Sequence, residues 1–188
     1  MTTNLDTNQL LEAILNQLQA TKQTLGFGHP PKPRYIYANR KYPNCLWYFW
    51  NGATNEHEPI EFHALTGIFE SLEIEEKEYK GKPDLKVNLH ISADRLYVVQ
   101  AGYDTLFAKS LLYTVSKLPT PALAQPITIA VEAGDTEQVL FCRLYNPVTR
   151  KSAFAPYPEN TNWHEVSQRA IAKLDLAHNR TPQETPIA

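Results

Sequence analysis

Polar and apolar residues alternate strictly through Lys86-Val87-Asn88-Leu89-His90-Ile91. A period of two marks a strand with a buried face, here Val87, Leu89 and Ile91, and an outer face, here Lys86, Asn88 and His90. Upstream, Ile68 to Ile74 reads as a second apolar-rich strand whose pattern slips once, because Phe69, Leu72 and Ile74 do not share a parity. A slip of one residue predicts a β-bulge near Glu70–Ser71. The stretch between these strands, Lys77 to Asp84, carries three lysines and a tyrosine. It is expected to be the hairpin turn, either plainly solvated or a basic, aromatic ligand-binding tip. Ser92-Ala93-Asp94 turns the chain into a third strand, Leu96 to Gln100. Leu106, Phe107, Leu111, Leu112, Val115 and Leu118 then recur at helical spacing, with Asp104 as the expected N-cap and Pro119 and Pro121 as the stop. Alternation returns in Pro126 to Glu132 as strand four and in Glu137 to Tyr145 as strand five. Asn146 to Lys151 reads as a further turn and Ser152 to Ala155 as a short return strand.

Segments outside this set add helices and a cluster of aromatic residues. Leu10, Leu11, Ile14, Leu15, Leu18 and Leu25 predict an amphipathic helix over Asp6 to Leu25, followed by a Gly- and Pro-rich linker to Pro33. Arg34 to Trp50 holds the densest run of rings, with short strands expected at Arg34–Tyr37 and Leu46–Trp50 and a polar turn at Asn51–Glu58. Two readings stay open for these rings. They fill the core, or Tyr35, Tyr37, Tyr42 and Trp47 stack on bases while Arg34, Arg40 and Lys41 meet phosphates. Near the other end, Asn162 and Glu165 have the spacing of a capping box ahead of a helix carrying Trp163, Val166, Ala170, Ile171 and Leu174. Arg180 to Ala188 lacks periodicity and is expected to be disordered. The domain organisation expected is a helix and linker over 1–33, a β-barrel domain over 34–158, and a helix and tail over 159–188.

Net charge is −2 over 188 residues, so the total announces neither a nucleic-acid binder nor an enzyme for acidic substrates. The distribution changes that picture. From Thr21 to Asn55 every charged residue is basic, Glu56 to Glu78 holds eight glutamates against Lys77, and Gln138 to Pro158 is again purely basic. A near-neutral total can therefore contain a positive groove and an acidic back. The cysteines, Cys45 and Cys142, fit no metal-ligand spacing and read as small buried hydrophobes. No nucleophile elbow, zinc-protease helix, P-loop or dinucleotide fingerprint occurs. The histidines and acids around His57 and His63 read as a polar loop. The expectation is a protein without catalysis, metal or other cofactor, located in the cytosol by default, with no membrane span or signal peptide.

The order of elements is three consecutive strands, a helix, then two more strands. With a bulged first strand, it resembles the OB-fold, a five-stranded barrel with a helix between strands three and four. Within it, LTGIFESLEIEEKEYKGKPDLKVNLHI is similar to the first hairpin of OB-fold single-stranded-DNA-binding proteins of the divergent phage and bacterial type. YVVQAGYDTLFAKSLLYTVSKL is similar to their third strand and following helix. The resemblance covers roughly Ile60 to Tyr145. It implies a mainly-β fold, an OB-like barrel with added N- and C-terminal helices, and a ligand lying across strands two and three.

On this chain that surface holds Lys86, Asn88, His90 and Tyr97, walled on one side by Lys77, Tyr79, Lys80 and Lys82. The opposite loop, Glu132 to Glu137, is acidic, so Arg143, Tyr145, Arg150 and Lys151 are expected to serve that side. The chain ends in TPQETPIA rather than the acidic tail of bacterial members, so tail-borne recruitment is not implied. The expected ligand is single-stranded DNA or RNA, held by stacking and phosphate neutralisation, in a chain whose amphipathic helices also suit a homo-oligomer. The rival reading is a protein-interaction or assembly module on the same barrel, since one fold hosts many functions.

Overall fold

The computed structural model describes residues 32–43, 45–79 and 81–180. The expected helix over 6–25, most of its linker and the tail over 181–188 lie outside the described residues. The elements in chain order are β1 (Arg34–Ala38), β2 (Trp47–Asn51), β3 (Glu56–Pro59), β4 (Ala64–Tyr79), β5 (Lys82–Ser92) and β6 (Leu96–Gly102). They continue with α1 (Leu106–Lys117), α2 (Thr120–Leu123), β7 (Ile127–Ala133), β8 (Leu140–Tyr145) and α3 (Trp163–Ala177). The expected mainly-β class with flanking helices is what forms. The strand count differs: eight strands join in one mixed sheet, in the order β3-β2-β1-β6-β5-β4-β7-β8, where five were expected.

The expected bulge is present, as the β4–β5 register shifts between Phe69 and Ser71. Phe69 and Leu72 consequently both face the core, opposite Ile91 and Leu89. β4 also changes partner along its length. Ala64 to Gly67 pair with β7, whereas Ile68 to Tyr79 pair with β5. Gly67 sits at the changeover, where an added Cβ would lie 2.5 Å from the carbonyl oxygen of Ser92. This bend curls the sheet into a half-barrel.

The remaining differences from the sequence reading have local causes. The lysine-bearing segment is mostly strand: β4 runs to Tyr79 and β5 restarts at Lys82, with Glu78↔Pro83 and Tyr79↔Lys82 still paired. Part of the expected polar turn forms β3, which pairs with β2 from Tyr48↔Pro59 to Asn51↔Glu56. The return strand shrinks to one bridge, Tyr145↔Ser152. β6, third of the expected five strands, has β5 on one side and β1, running parallel, on the other. Among the described residues β8 pairs with β7 and with that bridge alone.

α1 covers the inner face with Phe107, Leu111, Leu112 and Val115, which meet Leu89, Ile91, Val99 and the β7–β8 side chains Ile129 and Leu144 in one core. Its cap is Thr105, whose hydroxyl accepts from the Ala108 amide at 3.2 Å, rather than Asp104. Pro121 does not end structure, because it sits in the first turn of α2, where the missing N–H costs nothing. Asn162 caps α3 as expected, its Oδ1 accepting from the Glu165 amide at 3.3 Å, but the return contact joins the two side chains, Asn162 Nδ2 donating to Glu165 Oε1 at 3.0 Å, instead of using the backbone N–H of a capping box. After its last turn, His178 Nε2 lies 2.6 Å from the Phe69 carbonyl, tying the helix to the bulge. A carbonyl only accepts, so Nε2 carries the proton. Cys45 and Cys142 are free and buried, and burial pushes the Cys142 thiol well above its ordinary value.

Candidate functional site

Residues paired across strands share a sheet face, so the register defines a surface. One row runs Tyr37↔Gln100↔Asn88↔Glu73 across β1, β6, β5 and β4, and the next runs Tyr35↔Val98↔His90↔Ser71. Tyr48 pairs with Tyr37 and extends the first row into β2, where Trp50 follows on the same parity. The outer face thus gathers Tyr35, Tyr37, Tyr48 and Trp50 beside Lys86, Asn88, His90 and Gln100. The rings of Tyr35 and Tyr37 lie 6.3 Å apart at 28°, and those of Tyr37 and Tyr48 lie 5.5 Å apart at 21°. Tyr42 continues the cluster, edge-on to Tyr48 and parallel to His57 at 3.6 Å.

A groove of about 740 Å³ opens on this face, lined by Tyr37, Asn39, Arg40, Lys41, Tyr48, Asp84, Lys86, Gln100, Glu137 and Gln138. One wall comes from Asp84 and Lys86, in the tip half of the β4–β5 hairpin, and the other from Glu137 and Gln138 of the β7–β8 loop. The hairpin reaches over the face, since Lys77 Nζ lies 5.9 Å from the Tyr35 ring. The loop is held by Arg40, whose Nη1 reaches the carbonyl oxygens of Gly134 (3.2 Å), Thr136 (2.6 Å) and Val139 (3.2 Å).

Opposite charges sit close together here. Lys86 is 2.7 Å from Asp84 and Lys77 is 3.2 Å from Glu75. The His90 ring nitrogen Nε2 lies 3.6 Å from a Glu73 carboxylate oxygen. Lys41 is exposed, with its ammonium 5.5 Å from the Tyr42 ring. On the floor, Gln100 Nε2 donates to Asn88 Oδ1 at 2.7 Å, and Asn88 Nδ2 donates to Glu75 Oε2 at 2.8 Å. Burial pushes the Tyr48 phenol above its ordinary value, although the Asn39 side chain donates to its oxygen at 3.3 Å.

The structure brings Tyr35, Arg40, Lys41, Lys86 and His90 to this one face. Lys82 is exposed at the hairpin end. Tyr79 pairs with it through the backbone, and Lys80 lies outside the described residues. Arg34 and Tyr97 point the other way, because β1 and β6 place them in register with each other and Tyr97 opposite core-facing Ile91. The Arg34 guanidinium lies 3.5 Å over the Phe49 ring and donates to Glu58 at 2.9 Å. Tyr97 packs 6.3 Å from Phe49 and donates to Asp94 at 3.2 Å.

Arg143, Tyr145, Arg150 and Lys151 do not line the groove. Arg143 bonds Glu132 at 2.6 Å and lies 4.3 Å over Phe154. Tyr145 and Lys151 border a separate cavity of about 200 Å³ beside Leu118 and Ile127, and Arg150 occupies an exposed turn with φ of 57°. The physical reason is that β1 occupies the free side of β6, so the neighbouring basic residues are Arg40 and Lys41 of the β1–β2 connection. The aromatic segment divides between its two readings. Trp47 is buried, with its indole N–H on the Phe62 carbonyl at 2.6 Å, while Tyr35 and Tyr37 face the groove side half-buried. Gln100, within the third expected strand, also lines the groove. Its signal was a lone amide in the apolar run Tyr97-Val98-Val99-Gln100-Ala101.

Comparison with protein-family models, curated proteins and solved structures found no match. Among the described residues, no helix is long and apolar enough to cross a membrane.

Proposed function

We propose that the chain binds single-stranded nucleic acid, DNA in the first instance, without catalysing a reaction on it. The observation that carries this reading is the shared face of Tyr35, Tyr37, Gln100 and Lys86 above a groove bordered by Arg40 and Lys41. Aromatic rings on a groove face accept any base by stacking, and flanking cations bind the phosphate backbone. In this proposal β4 to β8 with α1 form an OB-type unit, and β1 to β3 extend its binding face sideways. The groove then lies between the first hairpin and the loop joining the last two strands, where OB-folds hold oligonucleotides.

Trp50 reports directly on the question, being 41% exposed on the same face as Tyr37. Titration with oligo-dT at low salt should quench or shift tryptophan fluorescence at micromolar protein, and added salt should reverse the change. An unchanged spectrum, with no mobility shift of labelled oligo-dT, would overturn the reading. The ion pairs already made by Lys86 and Lys77 favour a second reading, an assembly module whose groove takes a peptide or another subunit. That alternative predicts a mass that falls on dilution and is indifferent to oligonucleotide.

A further inference from the structure

We infer, building on that nucleic-acid reading, that Gln100 is a fixed hydrogen-bond acceptor selecting bases that present an exocyclic amine beside the Tyr37 ring. The inference starts from Glu75. An ionised carboxylate only accepts hydrogen bonds, so the Asn88 group facing it at 2.8 Å must be the NH₂. The Asn88 carbonyl oxygen is then left for Gln100, which must turn its own NH₂ toward it, at 2.7 Å. Each amide orientation is set by the one before it, across three adjacent strands.

The last atom in the relay is Gln100 Oε1. Among the described residues it has no donor, and it is not an atom sealed from solvent without a partner. Gln100 itself lines the groove, and its backbone partner on the next strand is Tyr37. A base stacked on Tyr37 would therefore lay an edge against an oxygen that cannot rotate into a donor. Adenine and cytosine offer an amine there, whereas thymine and uracil offer a carbonyl at the equivalent position. Two facing acceptors repel, so the relay turns a sequence-tolerant stacking surface into one with a base preference.

Oligo-dC and oligo-dU test this cleanly, because their rings have the same size and differ at the amine or carbonyl carbon and the adjacent ring nitrogen. With the full chain at constant salt and pH 8, oligo-dC should bind about fivefold more tightly than oligo-dU, the effect of one net hydrogen bond. Glu75→Gln removes the constraint that sets the relay, since a glutamine can donate or accept, and should bring the ratio close to one. Gln100→Met should abolish the preference by removing the acceptor. Circular dichroism and melting confirm that both variants fold, and Glu132→Gln, on β7 and outside the groove, should keep the wild-type ratio. Equal binding of both oligonucleotides by the wild type, or a ratio unmoved by Glu75→Gln, would overturn the relay while leaving nucleic-acid binding in place. Binding of neither oligonucleotide would overturn the underlying reading instead.

Discussion

Tyr35 and Tyr37 alternate with Arg34 and Ile36 along β1, and that parity decides their environment. On β1 the odd positions meet Val98 and Gln100 on the outer face, while the even ones meet Tyr97 and Val99 on the inner face. Substitutions should separate accordingly. Tyr37→Ala should weaken oligonucleotide affinity by about 1–3 kcal/mol, the loss typical of one base stack. Arg34→Ala should leave affinity nearly unchanged but lower stability, because it removes both the contact over Phe49 and the bond to Glu58. Paired fluorescence titrations and thermal melts distinguish the two effects, and equal loss of affinity in both variants would contradict the assignment of faces. The alternation of tyrosines was visible in the sequence, but the side they would face was not. That depended on which strand became the neighbour of β1, a contact more than sixty residues away in sequence. A longer separation, 94 to 99 residues, hid the environment of Arg40, whose guanidinium is engaged by carbonyls of the β7–β8 loop.

Among the elements, β4 does the most to shape the molecule. Its bulge was legible because a parity slip in an apolar pattern has one simple structural meaning. Its full length was not legible, because the polar residues Glu75 to Tyr79 are held as strand by pairing with Lys86 to Lys82 rather than by burial. The change of partner at Gly67 left no periodic trace either, only a glycine. Gly67→Ala should therefore be costly. Its Cβ would meet backbone at Ser92 and the Ile91 side chain at 2.6 Å, contacts that strand movement alone can relieve. Overpacking of this kind typically destabilises by about 1–3 kcal/mol. A urea denaturation midpoint close to wild type would show that the bend tolerates a side chain. Gly81 provides the contrast: it has φ of 75° with nothing near its Cβ position, so alanine there strains the turn without touching the core.

For the whole molecule, charge sets how any binding must respond to salt. The net charge of −2 gives no long-range attraction for a polyanion. Around the groove, Lys86 and Lys77 are matched by Asp84 and Glu75, and Arg40 is turned toward carbonyls. Lys41, exposed at the groove's edge, makes no ion pair among the described residues. Each phosphate neutralised on a single strand contributes about −0.7 to the slope of log K against log salt. With one or two cations free to do this, the slope should be shallow, about −0.7 to −1.4, and stacking should dominate the affinity that survives at high salt. Asp84→Asn supplies the decisive comparison. It releases Lys86 from its 2.7 Å partner on the same face as Tyr37, so affinity at low salt should rise and the slope should steepen by about 0.7. A steep slope in the wild type, or one that Asp84→Asn leaves unchanged, would mean that phosphate is held by cations other than those bordering the groove.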